Sequence, residues 1–101
     1  MADESDIALG VMLVANSQSN GIATFHRSKK EIPALVNLDN QNLSQSLTRP
    51  SEPMWHQLLR NIKSHYQADG NYIQIGYLIH VPRRGYQITK AGKAKLKALG
   101  Y

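Results

Sequence analysis

The sequence predicts one α+β domain in which helices pack against a small antiparallel β-hairpin. Apolar residues recur at helical spacing in residues 53–67, and the spacing shifts toward alternation beyond Gly70. Two β-type runs then bracket a turn at residues 82–85. The chain of 101 residues can bury about two-thirds of its unfolded surface in one core and is too short for two domains. We therefore expect residues 1–101 to fold as a single unit.

The first helix is predicted over residues 3–18. Acidic residues stand in its first turn, where the positive end of the helix dipole favours them, and Asn20-Gly21 ends it. Its apolar residues surround the helix axis instead of forming one stripe. Burial on several sides would explain this pattern. Contact with another chain would also explain it, in particular a homodimer formed through this helix.

A short extended segment and a second helix follow. Residues 21–25 are too few for a helix and are predicted as a strand or an extended link. Ser28 and Glu31 have the spacing of a capping box, in which each side chain satisfies a free backbone N–H group. The second helix is therefore predicted to run from Lys29 to Asn37.

The middle of the chain is polar. Residues 39–53 are predicted as a long loop with one helical turn, and only Leu43 and Leu47 could anchor it. A loop of this length in a compact domain is usually functional or mobile.

The clearest helix is predicted over residues 53–67, with a proline in its first turn. One face is apolar and holds Trp55, Leu58, Leu59, Ile62 and Tyr66. We expect this tryptophan and the tyrosines at 66, 72, 77 and 86 to pack in the core and not to stack on single-stranded bases. The opposite face carries donors and no acid, which suits phosphates and base edges but also fits an ordinary solvated face: His56, Gln57, Arg60, Asn61, Lys63 and Ser64.

The last third of the chain is predicted as a hairpin followed by a basic helix. Residues 72–75 and 77–81 read as strand, residues 82–85 as a turn with two arginines at its tip, and residues 86–89 as the returning strand. Thr89 then caps a lysine-rich helix over residues 90–99.

Positive charge is concentrated in the second half of the chain. Residues 1–50 hold four Lys or Arg against five acids, whereas residues 51–101 hold eight against two. Beyond Asp69 there are six Lys or Arg and no acid. Such a field attracts a polyanion, nucleic acid first and an acidic membrane or protein surface second.

Composition also excludes several classes of site. The chain has no cysteine, so it forms no disulfide and no thiolate site. The longest apolar run, Ile7 to Ala15, is far too short to cross a membrane, and acids precede it where a signal peptide would be basic. We expect a soluble, cytoplasmic protein that does not act at a membrane.

The histidines and acids favour neither a metal site nor catalysis. The four histidines lack the close spacing of zinc ligands. The acids are scattered, and ordinary caps or turns explain Glu31, Asp39, Glu52 and Asp69. We therefore expect no metal, no cofactor and no enzymatic activity.

This order of elements is that of a winged helix-turn-helix domain. Residues 55–96 contain four characteristic runs: Arg60-Asn61-Ile62-Lys63-Ser64-His65, Gly70-Asn71-Tyr72-Ile73, Gly76-Tyr77-Leu78-Ile79 and the Gly-Tyr-x-Ile-Thr-x-x-Gly-x-x-x-Leu run from Gly85 to Leu96. With these runs the segment resembles the Mrr-type N-terminal domain, a winged-helix module at the front of restriction endonucleases. The front half resembles that domain only in element order and in the Lys-Lys-Glu-Ile run.

The resemblance implies that the helix over residues 53–67 enters the major groove of double-stranded DNA, while the turn at residues 82–85 touches phosphate or minor groove. In restriction enzymes this module precedes a nuclease domain, which needs clustered carboxylates for Mg²⁺ that this chain lacks. The expected function is DNA binding without catalysis, in restriction, phage biology or transcription regulation. The expected contacts are His56, Arg60, Asn61, Lys63, Ser64, Arg83, Arg84, Lys29, Lys30 and Arg49.

The alternative is a winged-helix protein-interaction module, a subunit or inhibitor of a larger enzyme. That function predicts an exposed apolar patch on the first helix or on the loop that holds Leu43 and Leu47. DNA binding instead requires the basic residues of the 53–67 helix and of the turn at residues 82–85 to share one face.

Overall fold

The computed structural model describes residues 1–101 as an α+β fold, as predicted, with six helices around a three-stranded antiparallel sheet. None of the helices combines the length and the apolar character that a membrane span requires. In chain order the elements are α1 (Glu4–Asn16), β1 (Ile22–Thr24), α2 (Phe25–Leu35), α3 (Asn40–Leu43), α4 (Trp55–Ser64), α5 (Tyr72–Ile75), β2 (Leu78–Val81), β3 (Gly85–Ile88) and α6 (Lys90–Ala98).

Helix α1 is the central element of the fold. Asp3 and Asp6 cap its start reciprocally, each accepting a hydrogen bond from the other's backbone N–H. It packs against α2, α4, α6 and the sheet, so side chains such as Ile7, Val11 and Val14 are buried on several sides. The apolar residues around its axis are therefore explained by burial within the chain. They no longer favour a homodimer through this helix.

Helix α2 begins one turn earlier than predicted. The Thr24 side chain accepts from the backbone N–H of Arg27 and caps the helix, which runs from Phe25 to Leu35 and not from Lys29 to Asn37. Ser28, the predicted cap, is fully buried inside the helix and its hydroxyl has no hydrogen-bond partner. The capping-box prediction was wrong because β1 leads directly into the helix and brings Thr24 to the capping position.

The segment between α2 and α4 contains the predicted single turn, α3, but its anchor differs. Leu43 and Leu47 are 54% and 92% exposed, so the prediction that they hold the loop was wrong. Buried Asn42 holds it instead: its side-chain amide accepts from the backbone N–H of Ala2 and donates to the carbonyl of Ala2, both at 3.0 Å. Helix α4 then occupies Trp55 to Ser64, inside the predicted range.

The residues predicted as the first strand of the last third form helix α5 instead. Asn71 accepts hydrogen bonds from the backbone N–H groups of Ile73 and Gln74, which turns Tyr72–Ile75 into one helical turn. Gly76, with a φ of 100°, ends that turn in the left-handed region that favours glycine. The alternation of large and polar residues did not distinguish a short strand from a single turn.

The sheet has the strand order β1-β3-β2, so β3 is central. The predicted hairpin is present, with Leu78 opposite Ile88 and Val81 opposite Gly85, and so is helix α6 with its Thr89 cap. The prediction that aromatic side chains pack in the core is confirmed for buried Trp55 and Tyr86 and for the half-buried tyrosines 72 and 77. It was wrong for Tyr66, which is 52% exposed.

Candidate nucleic-acid interface

Three predicted contact residues form one stripe on α4. His56, Arg60 and Lys63 are spaced i, i+4 and i+7, which places them on one side of the helix. The buried residues Leu59 and Ile62 lie beside this stripe and hold the helix on the core. The stripe therefore has a fixed position relative to the rest of the fold.

At one end of the stripe, a carboxylate from the preceding loop ties α4 to α2. Glu52 accepts a 2.6 Å hydrogen bond from Arg60 Nη1 and lies 3.5 Å from Lys29 Nζ and 3.8 Å from His56 Nδ1. The Arg60 guanidinium keeps the pKa of Glu52 below its usual value, so the carboxylate is ionised at neutral pH. Although the donor face of α4 carries no acid of its own, the fold brings one to it.

His56 is the least solvated member of this group, since its side chain is only 15% exposed. Burial lowers its pKa, and the positive charge of Lys29 lowers it further. Its Nδ1 atom is buried and has no hydrogen-bond partner, because the distance to Glu52 exceeds hydrogen-bond length. This ring nitrogen is therefore a buried polar atom whose hydrogen-bonding capacity is unused.

At the other end of the stripe, α4 is fixed to the hairpin. The buried hydroxyl of Tyr86 in β3 accepts a hydrogen bond from the backbone N–H of Lys63 and donates one to the carbonyl of Leu59. On the neighbouring strand, burial lowers the pKa of His80, and the charge of Lys63 lowers it further. Lys63 and His80 are therefore electrostatic neighbours across the junction of helix and sheet.

The hairpin tip carries two exposed arginines. The backbone N–H of Arg84 donates to the carbonyl of Val81 at 3.0 Å and closes a turn around Pro82 and Arg83. Arg83 has a φ of 67°, in the region that normally favours glycine. Neither arginine pairs with a carboxylate, so both side chains project free into solvent.

The base of the hairpin is fixed to the start of α2. The backbone N–H of Phe25 donates to the carbonyl of Arg84 at 3.0 Å. The Phe25 ring packs edge-on against Tyr86, with ring centres 5.4 Å apart, and lies 6.5 Å from the ring of His80. Because Lys29 follows Phe25 by one helical turn, the hairpin tip (residues 82–85, which we term the wing) and the Glu52 group are attached to neighbouring turns of α2.

We term five of these residues the basic seam. Glu52 links its members on α2 and α4, and Tyr86 fixes the Lys63 backbone to the hairpin that carries His80 and, at its tip, Arg83 and Arg84. The basic seam consists of Lys29, His56, Arg60, Lys63 and His80.

Four other predicted contact residues are not part of the basic seam, although Ser64, four residues after Arg60, lies next to the stripe on α4. Asn61 lines a small cavity with Met1 and Asn42, on a different side of α4 from the basic seam. Lys30 lines a groove with His26 on the outer side of α2. Ser64 and Arg49 are exposed. The Ser64 hydroxyl donates to the carbonyl of Arg60 within α4, and Arg49 lies in the tight turn that leads to Glu52.

Sequence reasoning missed two residues of this region, Glu52 and His80. Glu52 does lie in a turn, as predicted, but that interpretation was incomplete, because its side chain also pairs with cations on two helices. Its position four residues before His56 and eight before Arg60 was the available signal. No sequence pattern points to a role for His80, because only the pairing of β2 with β3 places it near Lys63.

Most of the positive charge remains unpaired in the fold. Only Arg27, Lys29 and Arg60 form ion pairs, which leaves nine of the twelve lysines and arginines without a carboxylate partner. Those nine include Lys63, both wing arginines and the four lysines of α6.

Comparisons with protein-family models, with curated proteins and with solved structures give no significant match to this chain. Its function is therefore inferred from the geometry of the described residues.

Proposed function

We propose that this chain is a winged-helix domain that binds double-stranded DNA and catalyses no reaction. In this proposal α4 enters the major groove and the hairpin tip at residues 82–85 contacts the backbone or the minor groove. The order of helices and strands supports the winged-helix assignment, as does the β1-β3-β2 order of the sheet. The Mrr-type motifs between Trp55 and Leu96 support a role in restriction, phage biology or transcription regulation.

The attachment of α4 to the hairpin, and of the hairpin to α2, is the observation that carries this proposal. Lys63 on α4 and the wing arginines belong to one rigid unit, because Tyr86 fixes α4 to β3 and the Arg84 carbonyl fixes the wing to α2. Unpaired guanidinium groups on a short turn suit fork-like contacts to phosphate oxygens. In this proposal, α4 and the hairpin tip contact the same duplex.

The proposal is tested by measuring duplex affinity by fluorescence anisotropy at several salt concentrations. The test variant is Arg83→Ala/Arg84→Ala. The control is Lys93→Ala/Lys97→Ala, which removes equal charge from exposed, unpaired positions on α6. We expect the wing variant to lose about tenfold or more affinity and the control to lose much less.

The salt dependence separates docking from general attraction. About six phosphate contacts give a slope near −5 in a plot of log affinity against log salt, and the wing variant should have a slope smaller by about 2. Equal small losses in both variants, with the same slope, would contradict the proposed interface.

Protein binding is the second candidate function, and a cleft beside α1 and the end of α2 favours it. The cleft has a volume of about 470 Å³, and its lining combines the apolar side chains of Leu9, Leu35, Val36 and Leu38 with the carboxylates of Asp6 and Asp39. Leu35 is 46% exposed there, and the loop leucines are exposed nearby in sequence. Under this function Leu35→Ser removes partner binding while the wing variant leaves it intact.

A further inference from the structure

Glu52 occupies a position that suits an external anion. Three side chains that can donate hydrogen bonds surround its carboxylate: Lys29 from α2 and His56 and Arg60 from α4. We propose that this group is a phosphate site closed by Glu52 in the free protein, and that a backbone phosphate of bound DNA replaces the carboxylate. This inference rests on the proposed function and adds a second phosphate contact surface beyond the wing.

The fit between Glu52 and its neighbours is incomplete. One carboxylate oxygen accepts the short bond from Arg60, and the other is shared between Lys29 at 3.5 Å and His56 Nδ1 at 3.8 Å. Both of these distances exceed a good charge-assisted hydrogen bond, and His56 Nδ1 is left without a partner. A backbone phosphate also has two charged oxygens, but it is not tied to the Glu52 backbone and its oxygens stand farther apart on a tetrahedral centre, so it can be placed to accept from all three groups.

The carboxylate can leave without unfolding the loop that carries it. The backbone of Glu52 is fixed independently, since its N–H donates to the Arg49 carbonyl and its carbonyl accepts from the Ser46 N–H, both at 2.9 Å. Rotation of the side chain alone therefore opens the site. The side chains of Glu52 and Arg60 are 20% and 19% exposed, so the ion pair is partly open to solvent.

The discriminating experiment compares Glu52→Gln with Asp69→Asn in duplex binding. Asp69 is exposed and forms no ion pair, so its variant gains the same net charge without opening a site. We expect Glu52→Gln to bind a duplex about fivefold or more tighter than Asp69→Asn. Adding Lys29→Ala should reduce affinity more in the Glu52→Gln background than in the wild type. Glu52→Ala serves as a second opening variant, and thermal melting checks that each variant is folded.

A DNA-independent arm uses inorganic phosphate as the probe. Arg60 Nε–H should show a saturable NMR shift with phosphate in Glu52→Gln and none in the wild type or in Asp69→Asn. A duplex gain no larger than that of Asp69→Asn, or a loss of affinity, would overturn the inference and make Glu52 a positioning residue for Arg60. If the wild type and all variants fail to bind a duplex, the proposed function is wrong. If Glu52→Gln then also shows no shift with phosphate, the phosphate site is wrong as well.

Discussion

The backbone carbonyl of Tyr77 occupies the space where a Cβ atom on Gly92 would lie. The same carbonyl accepts a 3.0 Å hydrogen bond from the backbone N–H of Thr89, the N-cap residue of α6. The first turn of α6 therefore rests directly on the segment that leads into β2. The Ile88 side chain closes the other side of the same position, at 2.8 Å from that Cβ site.

This contact predicts that Gly92→Ala destabilises the protein, although alanine is the better helix former. Helix propensity alone would give a gain of about 1 kcal/mol in the free energy of unfolding. Overpacking against Tyr77 and Ile88 should instead produce a loss of about 1–3 kcal/mol, measured by urea denaturation. Ala94→Gly, at an exposed position of the same helix, is the control and should lose about 1 kcal/mol from propensity. A stabilised Gly92→Ala variant would contradict the packing.

Arg83→Gly should change stability and DNA affinity in opposite directions. Glycine adopts the φ of 67° without strain, so the free energy of unfolding should rise by up to about 1 kcal/mol. Duplex affinity should fall because a guanidinium is lost. Arg84→Gly removes the same charge at a position that lacks this conformation and should lose stability. Denaturation measures the stability of both variants, and fluorescence anisotropy measures their duplex affinity. Unchanged affinity in both would argue against a contact between the wing and DNA.

Tyr86→Phe should weaken the attachment of α4 to the sheet. The lost hydroxyl bridges Lys63 N–H and the Leu59 carbonyl in a fully buried position, so we expect a loss of about 1–3 kcal/mol in the free energy of unfolding. Tyr66→Phe removes the same atom from an exposed ring and should be nearly neutral. Equal denaturation midpoints for the two variants would contradict the bridging role.

Stability should also fall in mildly acidic solution. Burial lowers the pKa of both His56 and His80, so the folded protein holds them neutral while the unfolded chain takes up protons near pH 6.5. Their contribution is fully present above about pH 6.5 and is lost as pH falls through their folded pKa values. Denaturation midpoints between about pH 7.5 and about pH 5.5 test this. In His56→Gln/His80→Gln the denaturation midpoint should change less with pH than in the wild type. His26→Gln, at an exposed position, should show the same change as the wild type.

The predictable parts of the fold are those with local signals. Thr89, the turn residues Pro82 and Gly85, and the periodic apolar face from Trp55 to Ile62 each specify an element from neighbouring residues alone. The errors lie where a local signal competes with the rest of the fold. Ser28 has the spacing of a cap, but the chain buries it inside α2, and Asn71 turns an apparent strand into a helical turn.

The candidate site was predictable in its residue types but not in its pairings. The donor face of α4 can be read from helical spacing, and the wing arginines from turn chemistry. The contact of Glu52 with Lys29 joins a loop to another helix, and the approach of Lys63 to His80 depends on β2 pairing with β3. Such contacts follow from tertiary packing, which spacing along one element does not encode.

The pairing of β1 with β3 makes the fold dependent on its last third. Ile22 lies opposite Gln87, so the sheet closes only after most of the chain has been synthesised, and α1 also needs β3 and α6 to cover it. Contacts between residues so far apart in sequence form slowly, because the entropy cost of closing the loop comes before the stabilising contacts are made. Folding is therefore expected to be a single late step. A nascent chain that ends before Gly85 leaves the apolar faces of α1 in water, where chaperone binding or aggregation competes with folding.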